Sequence, residues 1–130
     1  MRSDCDRPVG GSGGLGGRIC HALARAGSDV AVLYNSGRQE AQGTAQEVRE
    51  LGIQAEAMHC DVTDPQQVDA LVSQVLERFG RVDILCSAAG VLRDRMVFNM
   101  TEEEWDGVLN VHLYGGFNMV RQLGENCCTL

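Results

Sequence analysis

Lysine is missing from this chain altogether: across 130 residues, the eleven basic side chains are all arginines. Chemistry that depends on a side-chain amine is therefore closed to it. Basic charge is also short overall, with 18 Asp and Glu against 11 Arg and a net charge of −7. That balance argues against nucleic acid or an anionic membrane as a partner, since both are held by a basic face. No apolar run approaches membrane-spanning length, and the N-terminus lacks the apolar core of a secretion signal, so a cytoplasmic protein is expected. The cysteines Cys5, Cys20, Cys60, Cys86, Cys127 and Cys128 contain no C-x-x-C pair, and adjacent Cys127 and Cys128 chelate poorly. Neither a metal site nor a disulfide framework is expected; in a reducing cytosol, Cys20, Cys60 and Cys86 act as small hydrophobes within apolar segments.

What is present suits one modest soluble domain, with 44% apolar and 22% charged residues and no repeat or linker. Helix-like and strand-like periodicities alternate, which predicts βαβ units around a parallel sheet. Gly14 to Ala26 predicts a helix with Ile19, Leu23 and Ala26 on one face, followed by a short strand over DVAVLY, Asp29 to Tyr34. Gln39 to Leu51 predicts a second helix stopped by Gly52, and Ile53 to Cys60 alternates weakly, as a strand does. Asp64 can cap a third helix, with Pro65 in its first turn and Gln67 closing a capping box. Its apolar stripe is Val68, Leu71, Val72, Val75, Leu76 and Phe79, and Gly80 ends it. Val82 to Ala88 (VDILCSA) reads as a strand covered on both faces. Thr101 and Glu104 form another capping box, opening a helix with Trp105, Val108, Leu109, His112, Leu113 and Val120 on one side.

Three stretches carry candidate chemistry. In VGGSGGLGGRI, Val9 to Ile19, Gly11, Gly13 and Gly16 satisfy G-x-G-x-x-G, while Gly10, Gly14 and Gly16 satisfy G-x-x-x-G-x-G. Either spacing lets a pyrophosphate approach backbone N–H groups and the positive end of a helix; a plain glycine-rich loop is the alternative. CDVTD, Cys60 to Asp64, and SAAG, Ser87 to Gly90, each end a predicted strand. In a doubly wound sheet both line the crevice at the carboxyl ends of the strands. Without a ligand they read as turn, cap and strand-exit residues.

In that order and spacing, the glycine loop, DVTD, GRVDILCSAAG and NMTEEEWDGVLNVHLYGGFN resemble the short-chain dehydrogenase/reductase family, specifically its β-ketoacyl-carrier-protein-reductase-like members, from about Val9 to Arg121. The resemblance implies a Rossmann-type doubly wound parallel sheet with helices on both faces and a nicotinamide-linked interconversion of carbonyl and alcohol. It implies cofactor contacts from Gly10, Gly11, Ser12, Gly13, Gly14, Leu15 and Gly16, from Asp61 and Val62 at the adenine, and from Ser87, Ala88, Ala89 and Gly90 on the ribose side. It also implies association with a second copy through the helix starting at Thr101.

The departures matter as much. The family's loop usually begins with Thr, where this chain has Val9, and its strand-end motif with Asn, here Ser87; the family's catalytic-site Asn aligns with His112. A His on an apolar helix face is also an ordinary structural residue. After the second strand, NAD enzymes place an acid that accepts the ribose hydroxyls. Here Tyr34-Asn35-Ser36-Gly37-Arg38 offers Ser36 and Arg38, which favour the 2′-phosphate of NADP, although Arg38 also reads as a solvated helix residue. The family's Tyr-x-x-x-Lys catalytic pair has no counterpart in a chain without lysine.

Four charges and a Pro in MRSDCDRP oppose the apolar first strand expected before such a loop. The expected organisation is an atypical segment over 1–8, a partial NAD(P)-binding domain over 9–122 and a divergent tail over 123–130. On this reading the chain is a truncated form, inactive alone. The alternatives are a non-catalytic dinucleotide-binding module and a subunit that completes its site with another chain.

Overall fold

In the computed structural model, residues 14–127 are described, and the expectations for residues 1–8 and for Gly10, Gly11, Ser12 and Gly13 fall outside them. The chain alternates as predicted: α1 (Gly14–Arg25), β1 (Val30–Tyr34), α2 (Arg38–Glu50), β2 (Ala55–His59) and α3 (Pro65–Phe79). A 3₁₀ turn at Val97–Asn99 then leads to α4 (Glu102–Leu109), a π-helical turn (Asn110–Tyr114) and α5 (Gly115–Cys127).

Local chemistry sets the boundaries. Asp64 caps α3 by accepting the Gln66 N–H at 2.9 Å, and Pro65 occupies the first turn, where its missing N–H costs nothing. The side-chain amide of Gln67, then the Gln66 N–H, hold the Asp64 carboxyl below the usual carboxylate range. Gly52 and Gly80, with φ of 83° and 81°, take the left-handed conformation that ends α2 and α3. At α4 the expected capping box closes in both directions between Thr101 and Glu104. The box expected at α3 does not. Gln67 reaches past Asp64 and accepts the Asp61 N–H at 3.0 Å, because the Asp64 N–H is already donated to the Asp61 carbonyl.

β1 and β2 pair in parallel, from Val30 opposite Ala55 to Tyr34 opposite His59. Strand alternation then distributes the core to two sides. Val30, Val32 and Ala55 pack with Cys20 and Ala24 of α1 and with Ala41, Ala45 and Val48 of α2. Ala31, Leu33 and Met58 pack instead with Val68, Leu71 and Val72 of α3 and Met119 of α5. Helices thus cover both faces of a parallel sheet, the doubly wound arrangement. Burying each Val or Leu of α3 stabilises this layer by about 1.5–3 kcal/mol.

One expectation is corrected. Val82 to Ala88 forms no strand and has no ladder partner among the described residues, and Ile84 is 57% exposed. A strand needs a neighbour to bond, and neither β1 nor β2, the two strands among the described residues, pairs with this segment. The helical run after Thr101 leaves Trp105, Leu113 and Val120 exposed, while Gly115 and Met119 are buried. The π turn at Asn110–Tyr114 sets the facing of α5, because one extra residue per turn rotates everything after it by about 100° relative to an unbroken 3.6-residue period.

Candidate functional site

A cleft opens at the carboxyl ends of β1 and β2, where the segment after Val82 also passes. Leu33, Tyr34 and Asn35 line one side, Cys60, Asp61 and Val62 the next, and residues 85–91 the third, with Val111 and Met119 behind. The structure therefore brings Asp61 and Val62 together with Ser87, Ala88, Ala89 and Gly90. Ser36 and Arg38 do not line this cleft. They sit exposed just past β1, Arg38 as the first residue of α2, and Arg38 forms no ion pair among the described residues. Of the glycine loop, Gly14 opens α1, Leu15 is exposed and Gly16 is buried against the core.

Each wall is held in place from outside the cleft. The Asp61 carboxylate accepts the Thr63 N–H at 2.9 Å and the Thr63 hydroxyl at 2.7 Å, while Gln67 holds the Asp61 backbone N–H. Asn118 of α5 donates its side-chain N–H to the Val62 carbonyl at 2.9 Å. On the opposite wall, the His112 ring lies over Gly90, where a Cβ would stand 2.5 Å from Cε1; no larger residue fits there without moving the ring. His112 Nε2 lies 3.1 Å from the Val91 N and 3.0 Å from the Val91 O. A neutral ring makes one of these bonds, according to its tautomer. His112 thus ties the helix to the end of the SAAG wall.

The chemistry on offer is limited. Tyr34 packs edge-on against His59, with ring centroids 5.6 Å apart, and Tyr114 is exposed on the π turn. No arginine bonds to either phenol among the described residues. Among those residues, no three His, Cys, Asp or Glu side chains converge as a metal site, and no helix is long and apolar enough to cross a membrane. Burial, and then the charges of Asp61 and Asp64, push the Cys60 thiol up to about 11; burial likewise raises Cys20. Cys86 is exposed in the cleft wall. At about pH 8, iodoacetamide is expected to alkylate Cys86 well before Cys60, as read by peptide mapping. Earlier labelling of Cys60 would show that the thiol is not buried in solution.

Sequence reasoning missed Asn118 and Gly115. Asn118 lies 56 residues from its partner Val62, so neither a motif nor a period announces the contact.

The family model for short chain dehydrogenases matches residues 9–127. A 3-oxoacyl-[acyl-carrier-protein] reductase, FabG, of Staphylococcus aureus is 34% identical over 114 residues, covering 88% of this chain and 46% of that protein. The short-chain reductase protein NovJ of Streptomyces niveus is 38% identical over 107 residues, covering 82% of this chain and 40% of its own. Solved structures agree: a short-chain type dehydrogenase/reductase from Mycobacterium marinum superposes with a TM-score of 0.85 at 29% identity, over 89% of this chain and 47% of that one. A short chain dehydrogenase from Mycobacterium avium gives 0.85 at 35% identity, over 91% and 45%. The chain thus spans about half the length of the curated relatives it matches. With a family match running through both walls of the cleft and the same doubly wound architecture in solved relatives, this chain belongs to the short-chain dehydrogenase family.

Proposed function

We propose that this chain is the nucleotide-binding part of a short-chain oxidoreductase that interconverts a carbonyl and an alcohol, in the manner of a 3-oxoacyl reductase, and that alone it turns nothing over. The observation that carries this reading is the cleft itself, which joins the Asp61–Val62 turn to the small-residue segment Ser87–Gly90 at the carboxyl ends of parallel strands. A dinucleotide fits the residues present. Asp61 and Val62 offer a braced edge for the adenine, and Ser87 to Gly90 let a ribose come close to backbone. Gly10, Gly11, Ser12, Gly13, Gly14, Leu15 and Gly16 supply small residues and N–H groups for the pyrophosphate. When bound, the nicotinamide supplies hydride chemistry; this chain's residues bind and orient it.

NADP is the cofactor proposed over NAD. No acid directly follows β1, and the exposed Ser36 and Arg38 offer a hydroxyl and a guanidinium with no ion-pair partner among the described residues to a 2′-phosphate. Calorimetry is expected to show tighter binding of NADPH than NADH. Arg38→Ala should weaken NADPH about tenfold, the equivalent of one charge-assisted hydrogen bond, and leave NADH unchanged. Tighter NADH binding, or an unchanged ratio in the variant, would reverse the assignment.

The outward apolar stripe on the helix after Thr101 favours a second role for the same chain. Trp105, Leu113, Phe117 and Val120 are all exposed. Exposed apolar side chains on one helix suit association with another copy through that helix.

A further inference from the structure

We infer that Asn118 and Gly115 are positioning residues for the adenine half of the nucleotide, acting through Val62 rather than touching the ligand. The inference rests on the reading of the cleft as a nucleotide site and names which part of the distant helix makes its adenine wall.

Val62 is gripped at two points by α5. Its carbonyl accepts the Asn118 side-chain N–H at 2.9 Å in a partly buried setting. Its side chain meets the helix where there is no side chain to resist it: a Cβ at Gly115 would stand 2.6 Å from Val62 Cγ2 and 3.2 Å from its Cβ. The next glycine differs, since a Cβ at Gly116 would find only the Ser87 hydroxyl at 3.9 Å, an ordinary contact. Gly115 is thus the point of closest approach, and Asn118, three residues on, lies on the same helical face. Both positions depend on the π turn at Asn110–Tyr114, without which residues 115 and 118 would be rotated about 100° away from Val62. π turns recur where a helix must re-aim side chains at a site. Here the turn swings an amide donor and a gap onto one residue of the cleft wall.

The test uses the full 130-residue chain, with 2′,5′-ADP and NADPH as ligands in calorimetry. Asn118→Asp keeps the shape but removes both N–H donors and sets a carboxylate against the Val62 carbonyl; at least fivefold weaker binding of both ligands is expected. Gly115→Ala pushes on the Val62 side chain and is expected to weaken both in the same direction. Gly124→Ala, in the same helix with open space around it, is expected to bind as the parent does. In NMR, the Val62 carbonyl carbon should move in Asn118→Asp while the amides of β1 and β2 stay in place, which a general loss of stability would not produce. If Asn118→Asp unfolds the sheet, Gly115→Ala decides. Parent-like affinity in the folded variants overturns this inference and leaves the nucleotide site standing. A parent chain that binds neither ligand overturns both.

Discussion

Given NADPH and an acetoacetyl-type or simple carbonyl substrate, the 130-residue chain is expected to show no reduction above the uncatalysed rate. A phenol with a pKa of about 10 is almost wholly protonated near pH 7 and, as an acid, gives up its proton slowly, unless a nearby cation lowers that value. The chain has no lysine to do this. Its two phenols are placed for other things. Tyr34 stacks edge-on against His59 at the end of β1, and Tyr114 faces outward from the π turn. Arg38 follows Tyr34 by four residues but begins α2 and makes no bond to the phenol. An arginine also stays charged at all working pH values and cannot pass a proton on. Bound nucleotide would be held and oriented without an acid to protonate the product oxygen. The measurement is NADPH consumption at 340 nm under saturating substrate. Turnover that disappears when Tyr34 or Tyr114 becomes Phe would refute the expectation.

Purified alone, the chain is also expected to self-associate at micromolar concentration and to unfold over a broad temperature range. The cause is legible in the sheet. β1 is bonded along one edge only, and Val82–Ala88 is bonded along neither, among the described residues. Between these two runs lie open spaces at both ends: the cleft described above, and a second cavity lined by Val30, Ala31, Val82, Asp83 and Ile84. A backbone group buried without a partner costs about 1–3 kcal/mol, against about 5–15 kcal/mol of total stability for a domain, so closing over these open edges without a third strand is unfavourable. Apolar surface adds to the pressure. Val97 and Phe98 are 74% and 78% exposed, and Leu113, Phe117 and Val120 continue the surface along the helix. Unpaired strand edges and apolar patches are the two features that most promote association. Sedimentation velocity and a thermal scan by circular dichroism measure both effects. A double change, Leu113→Glu with Phe117→Glu, should move the sample toward monomer without sharpening the melt, since the sheet is unaltered. A monomeric parent with one sharp transition would sink this expectation.

How much of this was legible beforehand follows from the range of the forces involved. Caps and stops depend on a few neighbouring residues, and they were readable. Asp64 and Thr101 cap their helices, Gly52 and Gly80 end theirs, β1 falls within the apolar stretch DVAVLY and β2 within the weakly alternating one from Ile53 to Cys60. The motif residues Asp61, Val62 and Ser87 to Gly90 also meet in one cleft, because a parallel βαβ chain brings its strand ends to the same side.

The sequence alone also shows that the chain holds no lysine and so no Tyr-x-x-x-Lys pair, because a missing residue type needs no structure to be noticed. Tertiary structure decided the rest. VDILCSA has the composition of a buried strand, yet pairing is a property of two segments, and no described strand meets it. The helical period after Thr101 was readable, but not the π turn within it, which rotates its second half and brings Asn118 to Val62. A helical period assumes a constant 3.6 residues per turn, and only contacts from distant parts of the chain decide where that constant is broken.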